Sequence, residues 1–147
     1  MTLGFIAAVI WFYRGSKGKD EITILITMVG GLASAVFFIQ KQKLEELHLF
    51  KELFVDFNRR YDGMNEEINR IASVDSKAEF SSDEKNRLND YFNLCAEEFL
   101  FYTRGYIYPE VWRAWHNGMK SIINSDGGIR KYWEQEKKTD SFYGLEV

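Results

Sequence analysis

Two hydrophobic patterns divide the chain: an unbroken apolar run near the N-terminus, and then apolar residues that return every three or four positions. Ile22 to Ile39 reads ITILITMVGGLASAVFFI, eighteen residues without a charge. At 1.5 Å per residue, a helix of that length spans roughly 27 Å, close to the hydrocarbon thickness of a bilayer. Asp20 and Glu21 bound the run on one side, Lys41 and Lys43 on the other. A core helix of a soluble protein keeps a polar stripe, so five turns without one predict a transmembrane helix. Leu3 to Tyr13 is also apolar but covers only eleven residues, and it lacks the basic n-region of a signal peptide. Trp11, Phe12 and Tyr13, followed by Arg14, are arranged like an interfacial aromatic belt. With Arg14 to Lys19 read as a turn, residues 3–13 form either the first arm of a short helical hairpin or a helix lying in the interface.

After the span the period changes. Leu47, Phe50, Phe54, Phe57, Tyr61, Met64, Ile68 and Ile71 are separated by steps of three and four, a sustained heptad seam. The seam predicts that the membrane helix runs on to about Ala72, with Gly63 off the seam and costing about 1 kcal/mol without ending it. Its partner is either a second copy of the chain, as in a coiled coil, or helices of the same chain. Such helices are predicted. Ser81 and Glu84 form a capping box that opens a helix to about Arg104, with Leu88, Tyr91, Phe92, Cys95, Phe99 and Tyr102 on one face and Gly105 as its stop. Pro109 suits the first turn of a third helix, which carries Val111, Trp112, Trp115, Met119 and Ile122 and stops at Asp126-Gly127-Gly128. A short fourth helix is expected from Ile129 to Lys137. The fold class is therefore all-α. An N-terminal transmembrane helix, or a short helical hairpin, continues into a long helix packed in a small antiparallel helical bundle. Residues 1–40 form the membrane segment with its main span at 22–39, residues 41–138 the soluble helical bundle, and residues 139–147 a tail.

Composition narrows the function classes. The net charge of -3 excludes a global basic surface for nucleic acid. A single proline and 16% aromatic residues argue against disorder. Cys95 is the only cysteine, so no intramolecular disulfide forms, which fits a reducing compartment. Lys41, Lys43, Lys51, Arg59 and Arg60 follow the span, against Arg14, Lys17 and Lys19 before it. By the positive-inside rule, that excess favours a cytoplasmic C-terminal domain, and the expected location is the inner (cytoplasmic) membrane.

Two groups of residues are candidate sites. Gly30 with Ser34, and Gly31 with Ala35, form small-xxx-small pairs that let helix backbones approach closely in lipid. Such residues are also common in membrane helices without any packing role. Arg60 would meet Glu97 or Glu98 as a structural ion pair if the first two helices of the bundle are antiparallel; solvated helix charge is the plainer reading. Glu66-Glu67 and Glu97-Glu98 are adjacent, so each pair diverges on its helix and makes a poor acid–base couple. Arg113 and His116 depart from the Arg-xxxx-His spacing of a nuclease motif. With His48 and His116 the only histidines, no zinc pattern forms. No catalytic set, metal, cofactor or small-molecule site is expected, and the chain is read as a non-enzyme.

LFVDFNRRYDGMN (53–65), YFNLCAEEF (91–99) and VWRAWHNGM (111–119) resemble blocks found in a group of small bacterial single-span membrane proteins of unassigned function. The resemblance covers roughly residues 22–123. In organisation the chain is also similar to the pore-forming membrane accessory protein of RNA-targeting CRISPR systems. That likeness implies a homo-oligomeric, membrane-perturbing or pore-forming effector in bacterial antiphage defence, whose partners are the lipid bilayer and further copies of itself. The alternative is a non-enzymatic, membrane-anchored module that recruits a cytoplasmic protein partner.

Overall fold

A computed structural model describes residues 7–11, 19–74, 79–125 and 128–147. Among these residues every regular element is helical. Beyond a helical turn at 7–11, they are α1 (Lys19–Asp62), α2 (Asn65–Ala72), α3 (Ser82–Thr103), α4 (Pro109–Ile123), α5 (Ile129–Glu136) and a 3-10 turn at Lys137–Thr139. The chain divides into two units, one up to Glu45 and one from Glu46 to Val147.

In the first unit, α1 carries an 18-residue window with mean hydropathy 2.3, none of it buried. Phe37 and Phe38 are 68% and 67% exposed. This helix is long and apolar enough to cross a membrane. The hydroxyl of Thr27 donates to the carbonyl of Thr23 at 2.8 Å, so a polar group inside the apolar run is met by its own backbone. Residues 3–6 and 12–18, which include the predicted turn of a hairpin, lie outside the described residues.

The second unit holds the core. α3 runs antiparallel to the end of α1 and to α2: Phe57 meets Phe101, Tyr61 meets Tyr91, and Arg70 meets Glu84. Arg87 bonds Glu67 at 2.6 Å along the same interface. The start of α3 follows the capping box, with the Ser81 hydroxyl accepting from the Glu84 amide and the Glu84 carboxylate accepting from the Ser81 amide. Its end is a Schellman motif. Tyr106 N–H donates to Phe101 and Gly105 N–H to Tyr102, with Gly105 at φ 81° where a side chain would be strained. The rings of Phe101 and Tyr106 close the motif at 6.0 Å. Pro109 then opens α4 with its φ already helical. These two signals turn the chain back within five residues.

Three expectations need correction. The long helix does not continue to Ala72; it ends at Asp62 and resumes at Asn65. At the junction Met64 N–H bonds Tyr61 in an i−3 link, and its backbone departs from helical values at φ -126°. The break re-aims α2 so that Ile68 and Ile71 are buried against α3 and α4. Gly63, the residue with most backbone entropy to lose, lies at that point. The seam is also not uniform. Leu47 is 52% exposed, whereas Phe57 and Ile68 are 2% and 0% exposed, so the helices of the same chain cover only its second half.

Residues 139–147 are not a tail. Phe142 packs on Trp133 at 4.9 Å and on Phe92 at 6.1 Å, and Leu145 is 1% exposed. Asp140, Tyr143 and Gly144 take left-handed backbone conformations to bring these two side chains inward. Trp133, at the centre of this cluster, is fully buried, and its indole N–H finds no hydrogen-bond partner among the described residues.

Leu145→Ala should destabilise the protein by about 2–5 kcal/mol, the range for deleting a buried leucine side chain. Denaturant titration in detergent, followed by near-ultraviolet circular dichroism, measures the change. A loss below about 0.5 kcal/mol, the size of an ordinary surface substitution, would place the segment outside the core.

Candidate functional site

α3 presents two adjacent carboxylates to two different surroundings. A helix advances about 100° per residue, so Glu97 and Glu98 leave it in different directions. Glu97 faces α1. The Arg60 guanidinium donates to it twice, at 2.5 and 3.1 Å, a bidentate pair that makes the sequence-predicted contact. The hydrogen bond to Glu97 raises the Arg60 pKa further above its already high value. Both side chains remain about one-third exposed, so screening holds the pair to roughly 1 kcal/mol.

Glu98 turns inward and is 6% exposed, the one buried charged residue type among the described residues. Burial pushes its pKa from 4.5 up to about 8, opposed by the positive charge of Arg60 and reinforced by Glu97. The carboxyl is therefore mostly protonated at neutral pH. Arg60 and Glu98 are not joined by a hydrogen bond or an ion pair; Arg60 acts on Glu98 through space.

Glu98 lines a cavity of about 170 Å³ between α1, α3 and α4. Tyr61 and Asn58 come from α1, Tyr91 and Cys95 from α3, and Trp115 and Gly118 from α4. Burial raises the Tyr91 and Tyr61 hydroxyl pKa values, so both stay neutral phenols. The Cys95 thiol is held well above its usual range by burial and by the nearby Glu98, and it hydrogen-bonds the Tyr91 hydroxyl. A thiol so placed is a weak nucleophile. The Asn58 amide donates to the Phe54 carbonyl at 2.6 Å. This cavity was not expected from the sequence. Its one advance signal is a carboxylate placed on an otherwise apolar helix face.

The other sequence candidates do not join it. Gly30, Gly31, Ser34 and Ala35 lie exposed on α1 in the first unit, and a Cβ built on either glycine meets nothing within 4 Å. His116 stacks on Trp112 at 5.2 Å, and its Nε2 donates to the Glu146 carbonyl at 2.9 Å. Arg113 is exposed. Among the described residues, no three His, Cys, Asp or Glu side chains are placed to share a metal ion.

The Glu98 carboxyl ties stability to pH. Its folded pKa lies above its unfolded value, so the folded chain binds more protons between about 4.5 and 8. This contribution is fully present below about pH 4.5 and is lost as pH rises through 8, a decline of the order of a few kcal/mol. Glu98→Gln keeps the shape and cannot ionise. At pH 9 it should be more stable than the parent by about 2 kcal/mol or more, with the difference closing toward pH 5. Parallel pH–stability curves from denaturant melts would show that Glu98 is not the titrating group.

Comparisons with protein-family models, with curated proteins and with solved structures return no match to this chain.

Proposed function

We propose that the protein is a non-enzymatic, homo-oligomeric membrane protein that perturbs the bilayer in which α1 is anchored. The observation that carries this reading is the apolar run of α1. Its eighteen most apolar residues are wholly unburied, so the surface they expose calls for lipid or further copies of the same helix. Gly30 with Ser34, and Gly31 with Ala35, stand one turn apart on α1. They make two adjoining small-residue faces along which a second α1 could lie, with open space over both glycines.

A single helix encloses no aqueous path, so a pore requires several copies around an axis. The run offers only the hydroxyls of Thr23, Thr27 and Ser34 as polar side chains. A pore lined by it would gate by dewetting and discriminate poorly among ions. The lysines and arginines after the run support a cytoplasmic side for the helical domain. A role in antiphage defence rests on likeness of organisation alone. A second reading, an anchored module that recruits a cytoplasmic protein, is favoured by Leu47, Leu49 and Val55. These are exposed apolar residues on the part of α1 that belongs to the second unit.

The protein should pellet with membranes, resist carbonate extraction and run as several copies in mass photometry in detergent. It should also release dye from vesicles after reconstitution. Gly30→Leu combined with Gly31→Leu should lower both copy number and leakage by blocking backbone approach. Monomers with no leakage from the unsubstituted protein would overturn the pore reading, and one dominant soluble partner in a pull-down would then favour the anchored module.

A further inference from the structure

We infer that the cavity between α1, α3 and α4 is a binding site for a small organic ammonium cation, held by the Glu98 carboxylate among the rings of Tyr61, Tyr91 and Trp115.

Four observations carry this. The first is the wall's charge: its ten lining residues include one acid and no lysine, arginine or histidine. The second is the state of that acid. Glu98 is 94% removed from solvent, and among the described residues it takes part in no hydrogen bond or ion pair. Its neighbour Glu97, by contrast, is tied to Arg60 by two hydrogen bonds. Among the described residues the one enclosed side-chain polar atom without a partner is the Trp133 indole nitrogen, so the Glu98 carboxyl is not sealed off but opens onto the cavity, where a ligand can reach it. The third is the aromatic lining. Tyr61 and Tyr91 stand with ring centroids 6.3 Å apart, and Trp115 closes the α4 side. Rings around a carboxylate attract a cation through their quadrupoles, and desolvation strengthens the effect. The anionic alternative has no cation on the wall to receive it.

The fourth observation is the mouth. Ala114 and Gly118 lie one turn apart on α4, and both are exposed, whereas Leu94, Cys95 and Met119 behind them are buried. Glycine in mid-helix weakens the helix, and a Cβ built at Gly118 meets nothing within 4 Å. Packing therefore does not require glycine there; what its missing side chain leaves is an opening. A volume of about 170 Å³ equals roughly five or six waters in the liquid, which suits a cation of about five heavy atoms.

Binding is coupled to a proton. The cation needs the carboxylate, while the empty site holds the acid mostly protonated at pH 7. Occupancy therefore releases the proton from Glu98 to solvent. The charged and titratable groups around Glu98 are Arg60 and Tyr61 on α1 and Glu97, Tyr91 and Cys95 on α3; the lining residues from α4 carry none. Arg60 stays charged, and the two phenols and the thiol are all raised, so they keep their protons. The site lies wholly within residues 46–147 and stands whether or not the chain perturbs a bilayer.

Tetramethylammonium chloride is the probe, since its charge is fixed at every pH; tert-butanol is the neutral control. Calorimetric titration of the full chain in detergent should show tetramethylammonium binding and no tert-butanol binding. Affinity should rise by about thirtyfold from pH 6.5 to pH 9, the change in ionised fraction for a group titrating at about 8. Runs at pH 7 in two buffers of different ionisation enthalpy should report close to one proton released. Glu98→Gln should weaken binding about tenfold or more and abolish its pH dependence. Gly118→Leu, which closes the mouth without touching the acid, should block binding while leaving the fold and the pH-dependent stability intact. Unchanged affinity in folded Glu98→Gln, equal binding of tert-butanol, or no tetramethylammonium binding by the unsubstituted protein at pH 9 would each overturn the inference.

Discussion

The breadth of the apolar surface of α3 is the constraint that orders the second unit. Leu88, Tyr91, Phe92, Leu94, Cys95, Ala96 and Glu98 are all buried, positions that span well over one helix face. Such a helix cannot be covered by one neighbour. The end of α1 and α2 take one side, α4 another, and the Trp133 and Phe142 cluster covers Phe92. The bend after Asp62 and the inward turn of residues 140–145 are both consequences: each brings apolar side chains onto a helix whose apolar surface is too wide for one neighbour, while Asn86, Asp90 and Asn93 keep its polar face in solvent. The charged pairs Arg60–Glu97, Arg87–Glu67 and Arg70–Glu84 join α1 and α2 to α3 and keep the antiparallel register rather than supply most of the stability.

The same constraint separates two chemically identical side chains. Glu97 falls toward the rim, where a guanidinium meets it in a planar fork. Glu98 falls where α3 is enclosed and becomes a neutral acid at physiological pH. Two carboxylates one residue apart thus titrate in different ranges because of where the helix points them, the arrangement by which proteins set acids to separate tasks. The ion pair also touches the buried acid: Arg60, held by Glu97, is the cation that restrains the rise in the Glu98 pKa. The rim pair therefore tunes the cavity without lining it.

Much of this architecture is legible in the sequence because it is written in local signals. The Ser81–Glu84 box, Gly105 and Pro109 each act within a turn or two and mark the helix ends they sit at, and the three-four spacing of apolar residues gives the buried faces. The Arg60–Glu97 contact follows once the helices are taken as antiparallel. What escapes is what depends on distant packing. Gly63 lies off the seam, so its spacing gives no reason for a break, which arises only from the need to turn Ile68 and Ile71 onto α3. Phe142 and Leu145 sit in a short C-terminal stretch without helical period, with left-handed backbone at Asp140 and Tyr143, a conformation that spacing rules do not anticipate. The cavity escapes for the same reason: its walls come from three helices, and only the meeting of Asn58 and Tyr61 with Glu98 and Gly118 makes a space.

The sharp reversal between α3 and α4 has a consequence for how the domain assembles. The Schellman stop and the proline start leave residues 104–108 as the whole connection, so bringing Tyr102 against Trp112 at 5.0 Å closes a very short loop. Loop-closure entropy grows with length, and contacts between near neighbours in sequence form ahead of remote ones. Tyr102, Trp112 and His116 stack in series across this hairpin, with Phe99 tilted against Trp112, all within eighteen positions. The hairpin is thus the natural seed of the domain. The end of α1, α2 and the C-terminal residues close around it at greater entropic cost, since each must be brought from farther along the chain.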